Sequence, residues 1–346
     1  MPYARALVRG KLPHWVKDLH DQYKSNVIRI SPNELSFIDA TAWSDIHSRR
    51  SGYPSFEKDV AIYGKPVNGV DSLLTANQSN HSRMRRVLDH AFSDKASKNQ
   101  EAVVQSYVDN LVIRLHGQVK GLAAGKVDIV KWYNWMSFDI IGDLSFGESF
   151  DCLETQRYHP WVEMIFGNLK GFALLGAFNR FFLSRRLLPL FIPKRLTQMM
   201  KDHWAATTEK VKRRMELGTQ RPDFMSAILE HNTDGKGLTT DEIQSNNSLF
   251  VIAGSESIVT NLSGTTYHLL RNPEIMEQLK KEVRGAFTAE AEITVQRVAQ
   301  LPYLLACLAE TNRIYPTALT GQAVKVPSEG ATISGYWVPG DVSRLT

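Results

Sequence analysis

A glycine, a carboxylate and two hydroxyl groups follow an apolar run in the middle of a predicted long helix. Gly254, Ser255, Glu256 and Ser257 come directly after the apolar residues 249–253. Glycine costs ~1 kcal/mol relative to alanine in a helix interior, and a carboxylate in an apolar core is costly unless it is paired. We therefore predict a site where a flat or small molecule approaches the backbone beside an acid and an alcohol. A helix kink that turns Glu256 towards a loop is the alternative.

Basic side chains mark a second predicted helix, at residues 80–92. His81 and Arg85 are four residues apart, so they share one helix face and can hold one anionic group together. A solvated basic face is an alternative interpretation. A nucleic-acid patch is a third, although the interleaved aromatic residues that favour single-stranded nucleic acid are missing.

A third charged pair lies near the end of the chain, where residues 301–314 predict a helix. Glu310 and Arg313 are three residues apart, which places them on the same side of that helix. Alone, such a pair indicates a surface ion pair of little energetic value.

The long helix that carries the first group spans residues 239–271. Thr239 and Glu242 have capping-box spacing, and no proline interrupts the helix before Asn272 and Pro273. Its length would be roughly 45 Å at ~1.5 Å per residue. Because residues 249–253 are apolar on every side, we expect the middle of this helix to be buried.

The remaining pattern predicts a mainly α fold with small β-hairpins, an α+β chain. A hairpin is indicated by two extended runs joined by Ser31, Pro32 and Asn33. Asp39 is the predicted cap of the helix that follows this hairpin. Further helices are predicted at residues 12–23, 94–122, 127–146 and 272 onwards, and short extended segments at 323–326 and 331–338.

Residues 161–196 alternate bulky apolar side chains with lysine and arginine. Apolar bulk beside positive charge suits a helix that lies in a membrane surface. A mobile lid over an apolar pocket would have the same composition. Ordinary core helices are the third interpretation.

Composition limits the class of protein. The 346 residues are 43% hydrophobic and 22% charged, with a scattered net charge of +5, so we predict one globular domain over 1–346 and no nucleic-acid partner. The two cysteines, Cys152 and Cys307, exclude a disulfide framework or a cysteine-based zinc site. No signal peptide or long apolar run is present. Taken as written, the chain is predicted to be cytoplasmic.

In order and spacing, these motifs together resemble the cytochrome P-450 family of haem-thiolate monooxygenases, especially its fungal branch that acts in secondary metabolism. Residues 253–257, Ala-Gly-Ser-Glu-Ser, resemble the oxygen-binding stretch A-G-x-(D/E)-(T/S) of the family's long central helix. Residues 310–313 resemble its E-x-x-R motif. Residues 80–86 resemble the basic helix that holds the haem propionates, with His81 at a position where many members have tryptophan.

The resemblance implies a cytochrome P-450-like fold with haem as cofactor. It also implies hydroxylation or epoxidation of a lipophilic small molecule, with O2 and with electrons from an NADPH-dependent flavoprotein reductase. Ala253 and Gly254 would border the haem and the bound oxygen, and Glu256 with Ser257 would relay protons. Residues 161–196 fall where the family has a mobile substrate lid that also touches the membrane.

At the periphery of the haem, the resemblance assigns His81 and Arg85 to the propionates. It gives Glu310 and Arg313 a structural role, in which their ion pair braces the core on the haem side.

Several expected features of the family are not found in this sequence. The glycine-rich loop F-x-x-G-x-R-x-C-x-G, which carries the axial cysteine, is absent, and neither Cys152 nor Cys307 has its surroundings. Val324 stands where a propionate-binding arginine is expected. The amino-terminal anchor that ties full-length relatives to the endoplasmic reticulum is also missing. We therefore expect a truncated chain with no protein ligand for the metal, and an inactive fragment that does not ligate haem iron is the alternative function.

Overall fold

A computed structural model describes residues 2–48, 56–59, 66–120, 125–160, 162–163, 194–232, 237–318, 323–340, 342 and 344–345. The described residues divide between two compact units. The first contains those within Met1–Ser82, Ile165–Lys201 and Leu319–Thr346, and the second those within Arg83–Met164 and Asp202–Ala318. Most of residues 161–196 lie outside the described ranges, so the membrane, lid and core interpretations of that segment stay predictions.

The helices and strands confirm a mainly α fold with small β elements. The helices are α1 Pro2–Val8, α2 Leu12–Tyr23, α3 Ala40–His47, α4 Gln78–Leu88, α5 Asp94–Lys120, α6 Ile129–Phe146, α7 Cys152–Thr155, α8 Lys194–Glu216, α9 Phe224–Glu230, α10 Thr240–Arg271, α11 Pro273–Ala286, α12 Val295–Val298 and α13 Pro302–Ile314. The strands are β1 Val27–Ser31, β2 Glu34–Phe37, β3 Glu57–Lys58, β4 Val324–Lys325, β5 Ala331–Ile333, β6 Tyr336–Val338 and β7 Arg344–Leu345. Short 3₁₀ turns lie at Asp89–Phe92 and Glu290–Glu292.

The first unit is built around a sheet that joins both ends of the chain. Strands β1 and β2 form the predicted antiparallel hairpin, with Val27 opposite Phe37. The full strand order is β1-β2-β7-β4-β3, in which β7 runs parallel to β2. The sequence pattern predicts the hairpin because its turn is local, whereas pairing between segments so far apart in sequence leaves no local signal.

Helix α3 packs against the β5–β6 hairpin in the same unit. Asp39 caps α3 as predicted, with its side chain accepting from the amide of Thr41 at 2.8 Å. Asp45 accepts from the amide of Ser334 at 2.8 Å, which ties the helix to the hairpin turn. The buried core between them consists of Ala42, Ile46, Val324, Val326, Ile333, Val338 and Val342.

The second unit is organised around α10, which begins and ends as predicted. Thr239 and Glu242 form a complete capping box, and the helix runs to Arg271. The side chain of Asn272 does not cap α11, because its amide donates back to the carbonyl of His268 at 2.8 Å. Pro273 nevertheless occupies the first turn of α11, where a missing N–H costs nothing.

Helix α6 is the main neighbour of α10. It is buried around most of its circumference, through Trp132, Trp135, Met136, Phe138, Ile141, Leu144 and Phe146. Each such side chain contributes ~1.5–3 kcal/mol when it is fully buried. The hydroxyls of Tyr133 and Thr266 are 2.9 Å apart, and Ser137 donates to the carbonyl of Ser255 at 3.3 Å. These contacts hold the middle of α10 on one side.

Helix α13, which carries Glu310 and Arg313, is positioned by α10 and α11. Thr265 of α10 donates to the hydroxyl of Thr311 at 3.0 Å in a buried contact. Glu282 of α11 accepts from the amides of Tyr303 and Leu304, both at 2.9 Å. Because the first amides of a helix have no partner within it, this carboxylate satisfies the start of α13.

Candidate functional site

The predicted oxygen-binding stretch divides between two faces of α10. Ser255 is 1% exposed, and its hydroxyl donates to the carbonyl of Val251 at 2.7 Å. Ala253 and Glu256 are exposed, and Ile252 is 43% exposed. The prediction that the whole middle of this helix is buried is therefore wrong. Packing against α6 accounts for the buried side, and Ala253 and Glu256 lie on the more exposed side.

Gly254 is explained by contact with α6. A β-carbon built at Gly254 would lie 2.9 Å from Cδ1 of Ile141 and 3.4 Å from its Cγ1. The first of these distances is shorter than ordinary β-carbon contacts, so an alanine here would require the end of the Ile141 side chain to shift. The predicted approach of a small molecule to the backbone at Gly254 stays a prediction.

Ser257 is half-buried, and its hydroxyl is engaged within the helix. The Oγ atom donates to the carbonyl of Ala253 at 2.8 Å. This bond from residue i to i−4 is a common use of a helical serine. In this arrangement the Ser257 oxygen can still accept a hydrogen bond. Its hydroxyl can donate to another group only after the bond to the Ala253 carbonyl breaks.

The Glu256 carboxyl lies where protein mass partly replaces water. Partial burial raises the pKa of Glu256 above its ordinary value. Nearby, the pKa of Tyr158 is raised to about 12 by burial, with contributions from the charges of Asp128 and Glu256. A carboxyl whose pKa is raised holds its proton to higher pH, which is the property that a proton donor needs.

Helix α4 places His81 and Arg85 one turn apart, on one face, as predicted. Arg85 is exposed, and its Nε atom lies 3.3 Å from Oδ1 of Asp89. This surface ion pair joins Arg85 in the last turn of α4 to Asp89, four residues later, in the 3₁₀ turn that follows. In this structure Arg85 is paired with a carboxylate of its own chain. That His81 and Arg85 together bind one anionic group stays a prediction.

Arg83 is an anchoring residue of α4 that the sequence analysis did not single out. Its guanidinium donates to both oxygens of Glu242, at 2.5 and 3.1 Å, and to the carbonyl of Gly237 at 2.5 Å. The available signal was its place beside the apolar residues Met84 and Val87, which are buried. An arginine at the edge of a buried helix face is positioned to reach a neighbouring element.

Glu310 and Arg313 form the predicted ion pair. Two bonds of 2.7 Å join the guanidinium to the two carboxylate oxygens, and the side chains are 55% and 71% exposed. Within the described residues, the pair thus lies on the surface of α13, so the bracing role given by the family resemblance stays a prediction.

The two cysteines occupy different environments. Cys152 is fully buried, and burial raises the pKa of its thiol to about 12. Its backbone amide and that of Leu153 donate to the buried carboxylate of Asp139, which makes the segment a helix start. Cys307 on α13 is half-buried, and burial also raises the pKa of its thiol.

A separate cavity of about 540 Å³ lies in the second unit, between the start of α5 and the segment that leads into α9. The rings of His90 and His231 stack there, 3.7 Å apart and nearly parallel. Lys95 and Glu230 give its lining charges of both signs, so no ionic class of ligand is selected. None of the eight predicted site residues lies in its wall.

Two kinds of feature are absent from the described part of the chain. No three histidine, cysteine or acidic side chains there converge as metal ligands. No helix there combines the length and the apolar character that crossing a bilayer requires.

Comparisons with known proteins agree on one family. The family model described as Cytochrome P450 matches residues 9–343. Cytochrome P450 monooxygenase lcsI of Purpureocillium lilacinum is 40% identical over 99% of this chain and 67% of its own length. Cytochrome P450 monooxygenase astA of Talaromyces wortmannii is 42% identical over 93% of this chain and 64% of its own length.

An averantin hydroxylase of Dothistroma septosporum is also similar, at 39% identity over 98% of this chain and 63% of its own length. The chain thus spans about two thirds of the length of these fungal relatives. Among solved structures, a cytochrome P450DA heme domain matches with a TM-score of 0.73 at 18% identity, covering 96% of this chain and 70% of that domain. At that identity the match shows the fold.

Proposed function

This chain belongs to the cytochrome P450 family, and on that premise we propose that it is a haem-dependent monooxygenase of fungal secondary metabolism. Its substrate would be a lipophilic small molecule, hydroxylated or epoxidised with O2 and with electrons from an NADPH-dependent flavoprotein reductase. The observation that carries the proposal is the open face of α10, which presents Ala253 and Glu256 beside a side firmly packed on α6.

Haem supplies the activation of dioxygen in enzymes of this class. The residues of α10 fit the side of the haem where oxygen binds. Ala253 is small and exposed, so a flat ring can lie close to the helix there. Partial burial raises the pKa of Glu256 on this side of the helix, and the hydroxyl oxygen of Ser257 can accept a hydrogen bond.

The residues of α4 fit the propionates of the haem. Arg85 is exposed, and it forms an ion pair with Asp89, which is also exposed. Surface ion pairs of this kind are worth ~0–1 kcal/mol, so a propionate can replace Asp89 at little cost. Arginine binds carboxylates through two parallel bonds, and His81 on the same face can add a third.

A second candidate function is favoured by the environments of the cysteines. In this family the axial cysteine lies in a glycine-rich loop, F-x-x-G-x-R-x-C-x-G, whereas Cys152 is fully buried at the start of α7 and Cys307 lies within α13. Neither cysteine lies in such a loop, and burial raises the pKa of both thiols. This observation supports a chain that does not ligate haem iron through cysteine and is inactive by itself.

One spectrum separates the two candidates. The purified chain is mixed with haemin, reduced and exposed to carbon monoxide. Thiolate ligation gives a red-shifted Soret band, which the monooxygenase proposal requires. The second candidate predicts haem absorbance without this shift. Cys152→Ser and Cys307→Ser are the matched controls, because these are the two cysteines of the chain and a genuine thiolate band must be lost in one of the variants.

The proposal also includes contact of residues 161–196 with a membrane surface, where a lipophilic substrate would be concentrated. Its support is the alternation of apolar and cationic residues in that segment. Sedimentation of the chain with anionic and with neutral vesicles tests the contact. Binding to anionic vesicles that weakens with salt is expected, and no binding to either kind would contradict it.

A further inference from the structure

We propose that Arg83 and Glu242 are a positioning pair, which fixes helix α4 on the start of α10 so that Arg85 is held ready for an anionic group on the opposite face. This inference rests on the proposed function, because the anionic group is taken to be a haem propionate. It adds two residues that the family resemblance did not assign to the site.

The side chains of Arg83 and Arg85 point in different directions from α4. Residues two apart on a helix point about 200° apart, so Arg83 and Arg85 lie on nearly opposite faces of α4. His81 and Arg85 are four apart and differ by only about 40°. One face of α4 therefore faces α10 through Arg83, while the other carries the two residues proposed for the propionates.

The anchor, the ion pair between Arg83 and Glu242, is partly buried and has several hydrogen bonds. The Arg83 side chain is 28% exposed and that of Glu242 is 11% exposed, so water screens this ion pair less than a surface pair. Both guanidinium nitrogens bond the carboxylate, and a third bond reaches the carbonyl of Gly237. Hydrogen bonds from Arg83 and Thr239 outweigh burial and lower the pKa of Glu242.

The anchor is attached to the first turn of α10. Glu242 occupies position N3 of α10 and closes its capping box. Its Oε2 atom accepts a hydrogen bond from the amide of Thr239 at 2.9 Å. Next to Arg83, Met84 is 1% exposed and contacts the buried Asn246 of α10. Two consecutive residues of α4 thus fix its register on the first turns of the helix that carries Glu256 and Ser257.

The test compares binding of haemin with binding of haemin dimethyl ester, in which both propionates are uncharged. Arg83→Gln removes the anchor, and Arg213→Gln removes the same charge from an exposed position on helix α8. Glu242→Gln removes the charge of the partner but keeps a residue that capping boxes accept. Binding is followed by the Soret band and by quenching of tryptophan fluorescence.

We expect Arg83→Gln and Glu242→Gln each to weaken haemin binding by about tenfold, a typical coupling between residues in contact. Binding of the dimethyl ester should change little in either variant, and Arg213→Gln should leave the ratio of the two affinities as in the wild type. Hydrogen exchange of the amides in α4 should become faster in the two anchor variants.

Three results are distinguishable. Equal losses for haemin and its ester would show a general structural effect and overturn the positioning role. Haemin binding by Arg83→Gln as tight as by the wild type would overturn it as well. If the wild type binds neither ligand, the proposed function itself fails, and the inference fails with it.

Discussion

A β-carbon at Gly254 would lie 2.9 Å from Cδ1 of Ile141, so the long helix α10 meets its neighbour α6 in a close contact between these two residues. The residue that the sequence presents as part of a reactive motif is thus also a packing residue. Its replacement tests how much of the motif serves helix contact.

We predict that Gly254→Ala lowers the free energy of unfolding by up to about 2 kcal/mol. Overpacking costs ~1–3 kcal/mol, which outweighs the ~1 kcal/mol that alanine gains in a helix. Adding Ile141→Val removes the clashing methyl group and should restore stability. Gly285→Ala is the control, because nothing lies within 4 Å of its added carbon, and it should stabilise α11. Urea unfolding of the four chains checks this, and a destabilised Gly285→Ala would remove the basis of the comparison.

The start of α10 and the open face beside Gly254 differ in how far the sequence predicts them. The capping box of Thr239 and Glu242 is a local pattern, and the structure confirms it. The exposure of Ala253 depends on what packs against each side of the helix, which a local apolar run does not reveal. The sequence therefore predicts the helix, but not which of its faces is open.

Contacts between distant positions show the same limit. Arg83 and Glu242 are 159 positions apart, and each has a plausible local role, one in a basic helix and the other in a cap. Only the fold shows that the two bond each other. His81, Arg85, Glu310 and Arg313 could be found because each pair shares a helix face at a spacing of three or four residues.

A buried ion pair provides the second prediction. Arg214 bonds Asp223 through Nε at 2.7 Å and Nη2 at 2.8 Å, and both side chains are 0% exposed. We predict that Asp223→Asn costs about 3–5 kcal/mol, since it leaves a buried guanidinium without its counter-charge. Thermal unfolding measures the loss, with the exposed Arg213→Gln as a control that should cost less than about 1 kcal/mol. A loss in Asp223→Asn no larger than that of the control would contradict the prediction.

The third prediction contrasts two glutamates that act on α13. Glu282 accepts from the amides of Tyr303 and Leu304 at the start of that helix. Glu282→Ala should cost about 1–2 kcal/mol, the range for loss of a helix cap, and should speed hydrogen exchange in the first turn of α13. Glu310→Gln should change neither measurement, because its pair with Arg313 is exposed. A larger effect from Glu310→Gln than from Glu282→Ala would assign the bracing role to the exposed pair after all.

The fourth prediction concerns His203 on α8, whose Nε2 atom lies 2.8 Å from the hydroxyl of Ser248 on α10. Burial lowers the pKa of His203 from 6.5 to about 4. The folded chain therefore favours the neutral ring, whereas the unfolded chain takes up a proton below about pH 6.5. By linkage, the stabilising contribution is complete above that pH and is lost as the pH falls towards 4, by up to about 3 kcal/mol.

His203→Gln isolates this contribution, because glutamine can still bond Ser248 but does not titrate. The free energies of unfolding of the wild type and the variant are measured by urea titration at pH 7.5, 6, 5 and 4, conditions chosen to bracket the two pKa values. We expect the wild type to lose more stability than the variant across this range, with most of the divergence below pH 6. Parallel curves would mean that His203 titrates alike in the folded and unfolded chains, so that its burial between α8 and α10 does not exclude the proton.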